Sequence, residues 1–136
     1  MRNNRITSLV IQQESWGILA PNEDSSHELK INKQGVVIHN IYNGANDKPI
    51  REYKYEVNLN IINDFFDFIE NTIMIDSWGN DYSVDVFDGY HWTIKIRHSD
   101  NSVKKIEGTV QPPPKEKKLE IFIKEMIPFE EEPWIF

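Results

Sequence analysis

Between residues 83 and 97 the chain places Ser83, Asp85, His91, Thr93, Lys95 and Arg97 at alternating positions. An aspartate beside a histidine is the pairing a general base needs, with the carboxylate orienting the imidazole. Asp85, His91 and Lys95 are therefore the candidate catalytic side chains. A nucleophile would still be required, and neither Ser83 nor Thr93 lies in a Gly-x-Ser-x-Gly setting. Opposite charges on neighbouring strands also pair for purely structural reasons. A solvated face on which Asp85, His91, Lys95 and Glu107 satisfy each other is the simpler reading, so no catalytic role is assigned.

Other chemistries have less support. His27, His39, His91 and His98 show no His-Glu-x-x-His spacing. The stretch from Asp76 to Asp81 opens like a calcium loop, but Asp81 stands where glycine is needed and Phe87 where a bidentate glutamate is needed. No metal site is expected, and residues 76–81 read as a plain turn. Glu28 and Lys30, and again Glu52 and Lys54, have the Glu-x-Lys form found on nuclease strands, without a convincingly placed preceding aspartate. The glycines form neither Gly-x-Gly-x-x-Gly nor a Walker pattern, so no cofactor is expected. The absence of cysteine excludes disulfides, thiolate zinc sites and a thiol nucleophile.

The elements that must carry these residues follow from periodicity. Alternating runs predict strands over 6–12, 27–31, 36–42, 50–57 and 103–110, with Gly35 supplying a positive φ between the second and third. Residues 82–96 read as a hairpin about Asp88 and Gly89. A three-residue loop there sets Val86 opposite Tyr90, Val84 opposite Trp92 and Asp85 opposite His91. Val84, Val86, Trp92 and Ile94 then face inward. Ile62, Phe65, Phe66, Ile69 and Ile73 form one apolar helical stripe, with Asn58 or Asn60 as cap. A second helix begins at Lys115, buries Leu119, Phe122, Ile123 and Met126, and ends at Pro128. Strands, helix, strands, helix, without regular alternation, predict an α+β fold. Its mostly antiparallel sheet has about six or seven strands, with two helices packed on one face. Residues 1–136 read as a single domain.

Size and charge bound the function. The 136 residues are 39% hydrophobic and 12% aromatic, enough for a core, and carry a net charge of −7. An acidic chain repels phosphate backbones, so no nucleic-acid partner is expected. The apolar run from Ile6 to Ile11 is too short for a membrane span, so no membrane partner is expected and the location reads as cytoplasmic.

Recognition fits the composition better than catalysis. Trp16 and Trp78 sit in turn-like segments, where exposed tryptophan makes a good interface anchor. The chain ends in three glutamates followed by Pro133, Trp134, Ile135 and Phe136. Those apolar residues either fold back on the body, as the energetic penalty of exposed apolar clusters favours, or present a docking motif. Trp16, Trp78, Trp134 and Phe136 are thus the candidate binding residues. The leading expectation is an acidic protein-binding module that engages another, basic protein. A small inhibitor or toxin-neutralising protein is one concrete form. The competing expectation is a small-ligand binder or enzyme using the face around Asp85 and His91. A homodimer through strand edges is a further option.

Overall fold

Alternation of small polar and branched apolar residues gives this chain one sheet, and three covering segments all lie on the same side of it. In the computed structural model the described residues are 5–16, 24–44, 48–84 and 89–136, with Trp16 described through its backbone alone. The strands are β1 (Ile6–Trp16), β2 (Ser26–Asn32), β3 (Val36–Tyr42), β4 (Arg51–Glu56), β5 (Asp81–Tyr82), β6 (Gly89–His98) and β7 (Val103–Thr109). The helices are α1 (Leu59–Asp67), which runs on into a π-helical turn at Phe68–Thr72, and α2 (Glu116–Met126). The sheet order is β4-β3-β2-β1-β6-β7-β5. Every neighbouring pair is antiparallel except β5 with β7.

Register sets one face of the sheet inward. Val37 is opposite Ile31, Ile31 opposite Leu9, and Leu9 opposite Ile96, all buried. The next row carries Leu29, Ile11, Ile94 and Ile106. Ile62, Phe65 and Phe66 of α1 and Leu119 and Ile123 of α2 join them in one core. Each such side chain contributes about 1.5–3 kcal/mol on leaving water. Phe122 ties the helices together, its ring 5.5 Å from Phe65 and 4.8 Å from Phe68. Asn58 caps α1, its Oδ1 accepting the Asn60 N–H at 2.8 Å. Gly35 enters β3 at φ +86°, and a Cβ there would lie 2.4 Å from the Val57 carbonyl oxygen. Only glycine meets both conditions.

The expected 82–96 hairpin is not formed. Tyr82 pairs in parallel with Gly108, on the far side of β7, rather than with Ile94. β6 is already flanked along most of its length by β1 and β7, whose longer ladders occupy both of its edges. The expected register fails with the hairpin. His91 lies opposite Glu14 and Thr109, leaving no place directly across from it for Asp85, which falls outside the described residues with Val86. Val84, expected inward, is 41% exposed, held beside β7 by its N–H and carbonyl on the Thr109 hydroxyl. The inward placing of Trp92 and Ile94 holds, because a period of two survives a change of partner.

Candidate functional site

The densest set of polar groups lies where the C-terminal segment crosses the inner face. Alternation along β2 and β3 that buries Leu29, Ile31, Val37 and Ile41 also turns His27 and His39 inward. Their rings meet, His27 Nδ1 lying 2.9 Å from His39 Nε2. The Trp134 N–H donates to the same His27 Nδ1 at 3.3 Å. A nitrogen that accepts twice carries no proton. The network therefore places His27's proton on Nε2, 3.7 Å from Asp24 Oδ2, and His39's on its Nε2. His39 Nδ1 is left as a buried lone pair without a hydrogen-bond partner among the described residues.

Burial pushes the His39 imidazole down to about 4, and a charge on His27 would push the same way. His27 is also lowered by burial, against the opposing pull of Asp24 and Glu131. Both rings are therefore neutral at pH 7. Arg51, from β4, closes the cluster with Nη2 2.9 Å from Asp24 Oδ2 and 2.8 Å from Glu131 Oε1, and Nε 2.9 Å from Glu131 Oε2. Its hydrogen bonds hold the Glu131 carboxyl below the usual carboxylate range. Tyr53 donates to Glu131 Oε2 at 3.0 Å. The rings complete the seam: Trp134 stacks on His27 at 4.4 Å, and Phe129 stands edge-on to His39 and Tyr55. The arrangement offers no nucleophile among the described residues. It is a clasp that docks the end of the chain.

Opposite this covered face the sheet carries no helix among the described residues, and register orders its side chains into rows. One row across six strands reads Lys54, Ile38, Lys30, Val10, Lys95 and Lys105, from β4 to β7. The adjacent row reads Glu52, Asn40, Glu28, Gln12, Thr93 and Glu107. The four lysines are exposed. Lys95 stands directly opposite Lys105, a pairing of like charges that weakens a sheet. Glu28 is held in place, its Oε1 accepting from Asn40 Nδ2 at 3.2 Å and from Tyr42 Oη at 3.3 Å. Lys30 reaches Glu28, and Lys105 reaches Glu107, each at 3.7 Å. A groove of about 210 Å³, lined in part by Val10, Lys30, Val36 and Ile38, opens beside the lysine row, on the side away from the glutamate row.

The sequence-derived site residues separate on this scaffold. His91 and Lys95 lie on the bare face, and His91 Nε2 is 3.2 Å from Glu107 Oε1; Asp85 lies outside the described residues. Trp16 ends a strand instead of occupying a turn. Trp78, expected to be exposed, is 6% exposed, with its indole N–H donating to the Ile73 carbonyl at 2.9 Å. It is a core residue and offers no anchor. Trp134 and Phe136 fold back, Phe136 edge-on to Trp92 at 5.6 Å, and Ile135 is buried between them. The calcium-like stretch begins in a 3₁₀ turn at Ile75–Ser77, and Asp76 Oδ1 lies 2.8 Å from His98 Nε2. Ser102 Oγ is 3.4 Å from Nδ1 of that histidine, within the turn closed by the His98 N–H and the Ser102 carbonyl. The Ser102 contact is long for a hydrogen bond and lies inside this turn, so we read the trio as securing the turn.

Sequence reasoning missed the His27–His39 pair. The signal was there: the same alternation that turns Leu29 and Val37 inward turns both histidines inward. A tight Asn32–Gly35 connection then makes them diagonal neighbours. No helix among the described residues is long and apolar enough to cross a membrane. Comparison with protein-family models, with curated proteins and with solved structures found no match.

Proposed function

We propose that the protein is a protein-binding module that recognises its partner with the bare face of the sheet. The observation that carries this reading is the pair of charged rows, lysine beside glutamate, running across six strands that no helix among the described residues covers on this side. A face serving only as solvated surface has no reason to set Lys95 against Lys105. The aromatic residues of the chain end are engaged by the body, which leaves this face as the broadest surface free for a partner.

The rows also bear on partner chemistry. A uniformly basic partner, suited to the net charge of −7, meets glutamates in one row and lysines in the next. A partner with both charges, matched in spacing, fits better. Neutralising another protein in the cytoplasm is a biological role compatible with such a module. We rank this reading above an enzyme built on His91, because His91 is engaged with Glu107 on an open face and no nucleophile among the described residues is placed beside it.

The test is affinity capture from the source cell with three baits. Wild type and Lys117→Glu/Lys118→Glu, altered on the exposed side of α2, are expected to retain the same protein. Lys30→Glu/Lys95→Glu is expected to lose it. Retention by the face variant, or equal loss by both variants, overturns the reading.

A further inference from the structure

The two rows are complementary to each other, and this specifies a partner. We propose that a second copy of the chain docks on the bare face, related by a two-fold axis lying in the interface midway between the lysine and glutamate rows and parallel to them. This rests on the reading of that face as the binding surface.

The geometry follows from the register. Rotation about such an axis keeps each strand over its own counterpart and reverses its direction, so each lysine row lies over the other copy's glutamate row. Lys30 faces Glu28 of the second copy, a contact occurring twice; Lys54 would face Glu52 and Lys105 would face Glu107 only between untwisted sheets. Lys95 lies over Thr93 and Ile38 over Asn40, both of these partners buried and uncharged, and Val10 faces the amide of Gln12. An axis turned to run along the strands instead brings lysine over lysine and glutamate over glutamate. Charge therefore selects one orientation.

Scale sets the strength. Six strands about 4.8 Å apart and two rows about 6.8 Å apart give a face of roughly 400 Å² per copy. That is below the usual 800 Å² or so per partner of a stable complex. Packed sheets cross at about 30°, so the β2 and β1 columns near the centre keep their alignment best and the outer columns drift by about one row. Lys30 and Glu28 are in the central group, and the hydrogen bonds from Asn40 and Tyr42 fix the Glu28 carboxylate before the second copy arrives. The dimer is expected to be weak and to dissociate as salt rises.

Sedimentation equilibrium over a concentration series at low ionic strength tests this. Wild type is expected to dimerise, and Glu28→Lys and Lys30→Glu are each expected to weaken association at least tenfold. An equimolar mixture of the two single variants regains wild-type association, because the lysine introduced at position 28 of one chain then faces the glutamate introduced at position 30 of the other. Only a contact between chains can be rescued by mixing. Glu28→Gln, which keeps an oxygen for the Asn40 and Tyr42 hydrogen bonds, is the second variant in case Glu28→Lys impairs folding; it is expected to stay folded and to weaken association. A wild-type chain that stays monomeric, or a dimer indifferent to these substitutions, overturns the proposal. The capture experiment decides the wider binding reading separately, since it scores a different protein on the same face.

Discussion

The two faces of this sheet treat charge in opposite ways. On the inner face most polar groups meet a particular partner, the buried His27 Nε2 and His39 Nδ1 excepted: Arg51 meets Asp24 and Glu131, His27 meets His39 and the Trp134 amide, and Tyr53 meets Glu131. On the outer face one pair of like charges stands directly opposed across the strands, Lys95 against Lys105. The inner arrangement closes the chain end onto the sheet. The outer one sets one like-charged pair against the fold, while Lys30 and Lys105 each lie 3.7 Å from a glutamate of their own chain. In the proposed reading, residual electrostatic conflict, rather than polar density, distinguishes the binding surface. The histidine cluster, which has the strongest look of a site, is a closure.

That contrast predicts unequal responses to mutation. The largest effect falls on the closure. Ending the chain at Pro128 removes the buried Ile135 together with the Phe129, Trp134 and Phe136 contacts, and uncovers both histidines. A loss of about 4 kcal/mol in urea unfolding is expected; a loss of less than about 1 kcal/mol would mean the clasp does not hold the fold.

Next is pH. Unfolded, His39 binds a proton near 6.5, and folded only at about 4. Its contribution is complete above pH 6.5 and declines as pH falls, disappearing toward 4, because the unfolded chain takes up the proton first. Up to about 3 kcal/mol is lost across that window. Asp24, Glu131 and Arg51 are the charged groups that face the pair, and they set the field in which it titrates. Urea midpoints measured from about pH 7.5 to about pH 4.5 are expected to fall for wild type and to fall less for His39→Gln. Parallel curves would show that the histidines are not buried as a neutral pair.

A smaller loss, about 1–2 kcal/mol, is expected for Arg51→Met, which leaves Asp24 and Glu131 facing each other without their shared cation. Smallest, and of opposite sign, is Lys95→Glu. It replaces a like pair across β6 and β7 by an opposite one and is expected to stabilise by about 0.5 kcal/mol. Destabilisation there would mean that the lysine row supports the fold and would remove the distinction between the faces.

Much of the fold was legible in the sequence because period two and period 3.6 report burial directly. The strands containing Leu9, Leu29, Val37 and Ile106, the α1 stripe and the Asn58 cap all follow from local pattern. Pairing does not. The Asp88–Gly89 signal is local, whereas β6 chose its neighbours by ladder length with β1 and β7, so the predicted hairpin failed although Trp92 and Ile94 still face inward. Trp78 was misjudged for a related reason: a turn-like sequence says nothing of whether an indole turns under the sheet. The charged rows were invisible for the most basic reason. Glu28 with Lys30 and Glu52 with Lys54 stood out singly, but a row exists only once strands distant in the chain are set side by side.

The claim that a second copy docks on the bare face is tested most directly by amide chemical shifts of the wild-type chain over a concentration series at low salt. The prediction is concentration-dependent movement at residues 8–12, 28–30 and 93–97, with residues 127–136 still. Shifts centred on 127–136, or no movement anywhere up to millimolar concentration, would contradict it.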